Sequence, residues 1–253
     1  YPTYYYNWIG EWNDTSWVYK VKVRGNVANF TIINNELYAF GIFDSIGNIR
    51  AMSIAKWDGT QWYDLGFGNY APIISGNLPR VLDAVWYKGW LYVGGNFGDI
   101  NSGGYTTDIA RFKENTWERV ADGLRGSFCD VSRLIVYKDT LYVGGQFFTY
   151  EGNPENHIVR WDGNQWHGMG GGLGGLQWPM LEDMVIYKDE LFISGRFNTA
   201  GTITARSIVK WNGTQWCHIS NVNETDTAYY INTETLAVLN DTLYAGGAYN
   251  FNQ

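Results

Sequence analysis

An all-β fold made of five repeated units is predicted by three observations. A Leu-Tyr-x-x-Gly motif recurs at Leu37, Leu91, Leu141, Leu191 (as LFISGRF) and Leu243, at spacings of 54, 50, 50 and 52 residues. A Trp-Asp-Gly-x-x-Trp motif follows it at Trp57/Trp62 and Trp161/Trp166, as WNGTQW at Trp211/Trp216, and in a degenerate FKENTW copy at Phe112 and Trp117. The composition, 17% aromatic with 31 glycines and only 17% charged residues, suits many short strands joined by glycine turns. Units of about 50 residues with four strand-like segments fall in the range of a propeller blade. The expectation is a five-bladed β-propeller with four antiparallel strands per blade.

Within a unit, strand A is the apolar run before a tight turn, as in Leu134-Ile135-Val136-Tyr137. The turn is Lys138-Asp139, echoed by Asn34-Asn35, Lys88-Gly89, Lys188-Asp189 and Asn240-Asp241. Residues of this kind tolerate tight-turn dihedrals, so A and B form a hairpin. Strand B is the LYVGG run, whose glycines allow close backbone approach. Strand C is the Ile-Val-Arg-Trp run, and strand D carries the second Trp beyond the Asp-Gly turn. The recurring tryptophans (Trp12, Trp17, Trp57, Trp62, Trp117, Trp161, Trp166, Trp211 and Trp216) read as packing residues of the template.

The whole chain, 1–253, reads as one propeller. Blade 1 spans 24–68, blade 2 69–124, blade 3 125–174 and blade 4 175–222. The fifth is divided, with inner strands in 223–253 and outer strands in 1–23. Ile9 to Trp17 aligns without gaps on Ile158 to Trp166, while the fifth unit has no Trp-Asp-Gly segment of its own. Running from Tyr249 through Gln253 and Tyr1 to Trp12 gives 16 residues, against 14 from Phe147 to Trp161. The N-terminal strands are therefore expected to complete the last blade, bring the termini together and leave no sheet edge open.

The LYVGGxF…IVRWDGxxW pattern resembles the kelch or galactose-oxidase-like propeller repeats of large secreted and surface proteins. The resemblance covers nearly the whole chain and rests on the Gly-Gly pair and the two Trp positions. It implies a fold and an extracellular or cell-surface setting. Five blades depart from the six or seven usual in kelch propellers. A copper centre of the galactose-oxidase kind would need histidine ligands and a Cys–Tyr pair near the axis. The three histidines, His157, His167 and His218, fall instead on strands C and D.

Net charge of -7 and a pI near 4.9 argue against a nucleic-acid partner, which needs clustered Lys and Arg. No apolar run approaches the roughly 20 residues that span a bilayer, so direct membrane insertion is not expected. Cys129 and Cys217 occupy different template positions and read as free thiols in packed strands. Sequons at Asn13, Asn29, Asn212, Asn223 and Asn240 permit secretion. Asp99-Ile100-Asn101-Ser102-Gly103 resembles half a calcium loop without the distal Glu, so no metal or other cofactor is expected.

Function is expected on one face. The D–A connections vary, with 20, 29, 24, 25 and 27 residues from the second Trp to the next Leu-Tyr, whereas the A–B and C–D turns are nearly constant. Loops on a rigid scaffold host binding. Trp178, in GGLQWPMLE, is the leading candidate for an exposed aromatic platform for a sugar or a protein. Tyr70, Tyr105 and Tyr150 lie in loops of the same face.

Asn29, Asp83, Arg133, Asp183 and Thr235 occupy one position at the start of strand A and should ring the channel mouth. Asp83, Arg133 and Asp183 are the charged candidates for ligand contact there, although a wet mouth in which Arg133 offsets Asp83 and Asp183 is the favoured explanation. The leading expectation is a non-catalytic extracellular or cell-surface binding or adhesion module, recognising a glycan or a protein, within or released from a larger surface protein. A glycoside-acting enzyme using Asp83, Asp130, Glu182 and Asp183, or a structural spacer, are the alternatives.

Overall fold

The computed structural model describes residues 6–69, 78–97, 108–121, 124–125, 130–150, 153–219 and 232–248. The described structure is all-β and antiparallel. Among the described residues no helix is long and apolar enough to cross a membrane. Two compact units are present, Tyr1–Val120 and Ala121–Gln253.

Among the described residues the first unit holds ten strands: β1 (Tyr6–Trp12), β2 (Trp17–Ile33), β3 (Glu36–Ile46), β4 (Ile49–Arg50), β5 (Ile54–Trp57), β6 (Trp62–Asp64), β7 (Arg80–Tyr87), β8 (Trp90–Asn96), β9 (Ile109–Lys113) and β10 (Thr116–Arg119). They form a sheet ordered β1-β2-β3-β5-β6, with β4 on β3, and a second sheet ordered β10-β9-β8-β7. Phe40, Ile54, Phe67, Val81, Leu91, Val93, Phe97 and Trp117 make its buried core. Trp117 packs on Phe67 and donates its indole N–H to the Leu65 carbonyl at 2.8 Å.

The second unit runs β11 (Leu124–Arg125), β12 (Asp130–Tyr137), β13 (Thr140–Gln146), β14 (Thr149–Tyr150), β15 (Asn153–Pro154), β16 (Ile158–Trp161) and β17 (Trp166–His167). It continues with β18 (Leu173–Gly174), β19 (Met180–Tyr187), β20 (Glu190–Arg196), β21 (Thr199–Ala200), β22 (Ile203–Thr204), β23 (Ile208–Trp211), β24 (Trp216–Cys217), β25 (Asn232–Leu239) and β26 (Thr242–Ala248). Two sheets follow the template, β12-β13-β16-β17 and β19-β20-β23-β24. Trp211 donates to the Tyr142 hydroxyl at 3.1 Å and Trp216 to the Met169 carbonyl at 2.5 Å, so the fourth repeat's two tryptophans hold the third.

The turns have the physical origin the sequence suggested. Both central residues of every A–B turn lie at positive φ: Asn34/Asn35, Lys88/Gly89, Lys138/Asp139, Lys188/Asp189 and Asn240/Asp241. That is the type I′ geometry matching the strands' right-handed twist. At the C–D turns a side-chain oxygen caps two amides. Asp162 Oδ1 accepts from Asn164 (2.7 Å) and Gln165 (2.8 Å), and Asn212 Oδ1 from Thr214 and Gln215. The degenerate copy turns more tightly, through Glu114 and Asn115 at positive φ, with Lys113 paired to Thr116.

The close approach expected of the Gly-Gly pair is explicit at its second member. A Cβ on Gly145 would stand 1.9 Å from the Asp130 carbonyl oxygen, and one on Gly195 2.1 Å from that of Met180. The opposing strand bulges at this level in all five repeats, between Val27/Asn29, Val81/Asp83, Val131/Arg133, Leu181/Asp183 and Thr233/Thr235. The extra residue pushes the A-strand backbone toward the glycine.

The two ends of the described chain hold shorter versions of the template. β25 and β26 form a sheet of two strands, and the hairpin of Trp12 and Trp17 lies in the first unit's sheet. The reason is local: β2 is continuous from Trp17 to Ile33, pairing first with β1 and then, from Val23, with β3. Trp12 and Trp17 are consequently 51% and 66% exposed, whereas Trp161 and Trp166 are 3% and 5%. Cys217 is a half-buried free thiol on a short outer strand, not a packed interior one. Cys129 lies outside the described residues.

Candidate functional site

The face built from B–C and D–A segments carries secondary structure of its own. β11 pairs with β14, and β14 with β15, into a small three-stranded sheet. β18, β21 and β22 repeat the arrangement one unit later. In each, the segment leading into strand A zips onto the loop leaving strand B of the same repeat. Connections that read as loops are therefore partly ordered as strand.

The connection preceding β19 is held from below by Glu155. This carboxylate is 4% exposed; its Oε1 accepts from the Met169 amide at 2.8 Å, its Oε2 from Gly171 at 3.2 Å, and Gly172 adds a third backbone bond. Burial pushes its pKa up, opposed by those three donors. Gly172, at φ +68, is obligatory, because a Cβ there would stand 1.9 Å from the Asn156 carbonyl oxygen. The Leu173 amide donates to that same oxygen at 2.9 Å. The Gly170–Gly175 run is thus a fixed ledge.

Trp178 stands just beyond this ledge and is 56% exposed. Leu176 and Met180 are exposed on either side of it in sequence. An aromatic ring on a braced segment loses little conformational freedom when a ligand covers it. Of the tyrosines expected on this face, Tyr150 lies on β14, its backbone paired with Leu124 and Asn153. The Tyr150 side chain, Tyr70, Tyr105 and the half-calcium loop at 99–103 lie outside the described residues. The remaining tryptophans outside the template, Trp8, Trp86 and Trp90, are on strands.

The strand-A position expected to ring a channel is occupied by residues that bond to protein. Asp183 Oδ1 accepts from its neighbour Met184 (2.9 Å) and pairs with Arg133 Nε at 3.2 Å. Its Oδ2 accepts the Leu236 amide at 2.8 Å and lies 3.4 Å from the Thr235 hydroxyl. Arg133, Asp183 and Thr235 therefore come together as a ladder joining successive repeats. In the first unit Asp83 Oδ1 accepts from Ala84 and Asn29 Oδ1 from Phe30, the same local cap. Glu182, the bulged residue beside this ladder, has its pKa raised by burial, with Arg133 acting against it and Glu234 and Asp183 adding to it. Both Asp183 oxygens are thus engaged in bonds within the protein.

One feature shared by four repeats has no common residue type. Ser53, Asp108, His157 and Ser207 immediately precede strand C, are buried and have positive φ. Each carbonyl accepts the amide of the template's second Gly-Gly position (Gly41, Gly95, Gly145 and Gly195) at 2.9–3.0 Å. His157 adds Nδ1 at 3.1 Å from the Gly145 carbonyl, and its Nε2 is buried without a hydrogen-bond partner. Burial pushes its pKa down. His167, by contrast, lies on β17 with Nε2 2.7 Å from Asp162 Oδ2, which lowers the Asp162 pKa to about 2. Among the described residues no three His, Cys, Asp or Glu side chains group as metal ligands.

No protein-family model matches the chain, and no curated protein matches it.

Proposed function

We propose that this chain is a non-catalytic binding module of the cell surface or extracellular space that recognises a glycan or protein partner through its D–A and B–C face. The observation that carries the reading is Trp178, more than half exposed on a segment braced by Glu155 and by the β18-β21-β22 sheet. Such a ring offers a flat apolar surface to sugar C–H faces or to a partner's side chain. The proposed architecture is a five-bladed propeller whose last blade is completed by the N-terminal strands. Its support is the fivefold recurrence of the bulge and the type I′ turn.

An enzyme with axial carboxylates is the weaker reading. Asp183 is engaged by two backbone amides and Arg133, an arrangement that uses its lone pairs for packing repeats together. A spacer role is favoured by a different observation: Tyr137 donates to the Asp189 carbonyl (2.6 Å) and Tyr187 to that of Asp241 (3.0 Å), tying each A–B turn to the next. A glycan-array screen of the purified chain, with and without EDTA, separates these readings. Specific binding lost in Trp178→Ala supports the binding module, a blank array moves weight to protein contact or spacing, and turnover of an arrayed glycoside contradicts it.

A further inference from the structure

The five sequons are all Asn-x-Thr, and the fold gives two of them the same setting. Asn13 and Asn212 each follow the first tryptophan of a C–D turn, one between β1 and β2, the other between β23 and β24. Asn13 Oδ1 accepts the Thr15 amide (3.2 Å), the Thr15 hydroxyl (2.8 Å) and the Ser16 amide (2.9 Å). Asn212 Oδ1 accepts the same three groups from Thr214 and Gln215 at 2.9–3.0 Å.

Other repeats show what the turn requires of this side chain. At the same position Asp58 Oδ1 takes the Thr60 amide and hydroxyl and the Gln61 amide at 2.7–2.9 Å. The second oxygen of the aspartates is used as well. Asp58 Oδ2 accepts from the Tyr63 hydroxyl at 2.8 Å, and Asp162 Oδ2 lies 2.7 Å from His167 Nε2. Five residues after Asn13 and Asn212 stand Val18 and Cys217 instead, and among the described residues neither Nδ2 makes a hydrogen bond. The turn therefore needs one acceptor oxygen, which Asp and Asn both supply, and the amide nitrogen is spare. Asn13 and Thr15 are exposed, and Thr214 is exposed beside a half-buried Asn212.

We propose that Asn13 and Asn212 are acceptor sites for an N-linked glycan, delivered from a polyprenyl-pyrophosphate oligosaccharide by a transferase of the export route. The inference rests on the extracellular reading, because only an exported chain meets that donor. Nδ2 forms a bond to C1 of the first sugar as the C1–O bond to pyrophosphate breaks. The lipid pyrophosphate leaves with the bonding pair, and the amide gives up one of its two protons. The product keeps its carbonyl oxygen, so the turn's three hydrogen bonds survive. In the second unit the Asn212 turn lies at the end of its sheet opposite the start of β19, so a glycan there leaves the Trp178 segment clear. Two other sequons are placed differently. Asn29 lies inside β2 with its backbone opposite Phe40, and Asp241 of the Asn240 sequon is held by Tyr187 through its carbonyl and by Lys188 through its carboxylate. Asn223 lies outside the described residues.

The test is secretion of the full chain from a eukaryotic host behind a cleaved leader, which imposes the route whatever the chain's natural destination. Intact mass should exceed 28.8 kDa by at least two glycans. Enzymatic release in heavy-oxygen water should leave labelled Asp at positions 13 and 212. Asn13→Asp and Asn212→Asp should each remove one glycan and leave the melting temperature in place, since Asp is already the cap at 58 and 162. Asn212→Ala, which removes the cap too, should lower it. A bare asparagine at either position in a secreted, folded chain would strike out that site, and a glycan whose removal raises the melting temperature would overturn the inference. A blank glycan array with both sites occupied would instead fail the binding reading alone.

Discussion

Asp183 holds the main-chain amide of Leu236 at 2.8 Å, linking strand A of one repeat to strand A of the next. The same carboxylate accepts from Met184 and pairs with Arg133. A residue at a position expected to grip a ligand is thus a staple between repeats. Replacing it with Ala leaves two strand amides without acceptors, a loss of about 1–3 kcal/mol. Asp183→Asn keeps one acceptor oxygen and should cost less. Urea unfolding of the two variants checks the order; equal, negligible losses would show that the ladder is ornamental.

Gly145 and Gly59 test the backbone argument as a pair. A Cβ at 145 meets the Asp130 carbonyl at 1.9 Å, whereas one at 59 meets nothing within 4 Å despite φ +101. Gly145→Ala should cost about 3 kcal/mol or more, and Gly59→Ala about 1–2 kcal/mol from its left-handed backbone alone. Thermal melts of both variants decide it, and a Gly145→Ala melt at the parent temperature would contradict the close approach.

Much of this was legible in the sequence because its physical causes demand particular residue types. Positive φ at both turn positions calls for Asn, Asp, Gly or a tolerant Lys, and a backbone contact admits only glycine. The A-strand bulges left no such trace, since the extra residues Ala28, Leu82, Ser132, Glu182 and Glu234 share nothing chemical. The buried left-handed position is likewise Ser, Asp, His and Ser, chosen by different local bonds. The exposure of Trp12 and Trp17 was hidden for the opposite reason: their motif is faithful, but a motif does not say which surface covers it.

His157 gives the fold a pH dependence of known sign. Its pKa is lowered by burial, so the unfolded chain binds the proton more tightly than the native one. Stability is full above the ordinary histidine value of 6.5 and falls as pH drops below it toward the native pKa. The His157 contribution to urea midpoints between about pH 5 and 7 should therefore fall with acidity, against the opposite contribution of the buried Glu155 and Glu182, whose pKa values are raised. His157→Asn, which tolerates φ 68, should flatten that slope. An unchanged slope would place the titration elsewhere.

The most direct measurement is the affinity of an array-selected ligand for three proteins: the parent, Trp178→Ala and Asp183→Asn, each with its unfolding midpoint. Trp178→Ala should lose binding at least about tenfold while its stability stays within about 0.5 kcal/mol, because its ring touches solvent more than protein. Asp183→Asn should lose stability and keep the ligand. The reverse pattern, with binding abolished at Asp183 and intact at Trp178, would contradict the loop-face account and return the function to the ring of strand-A residues.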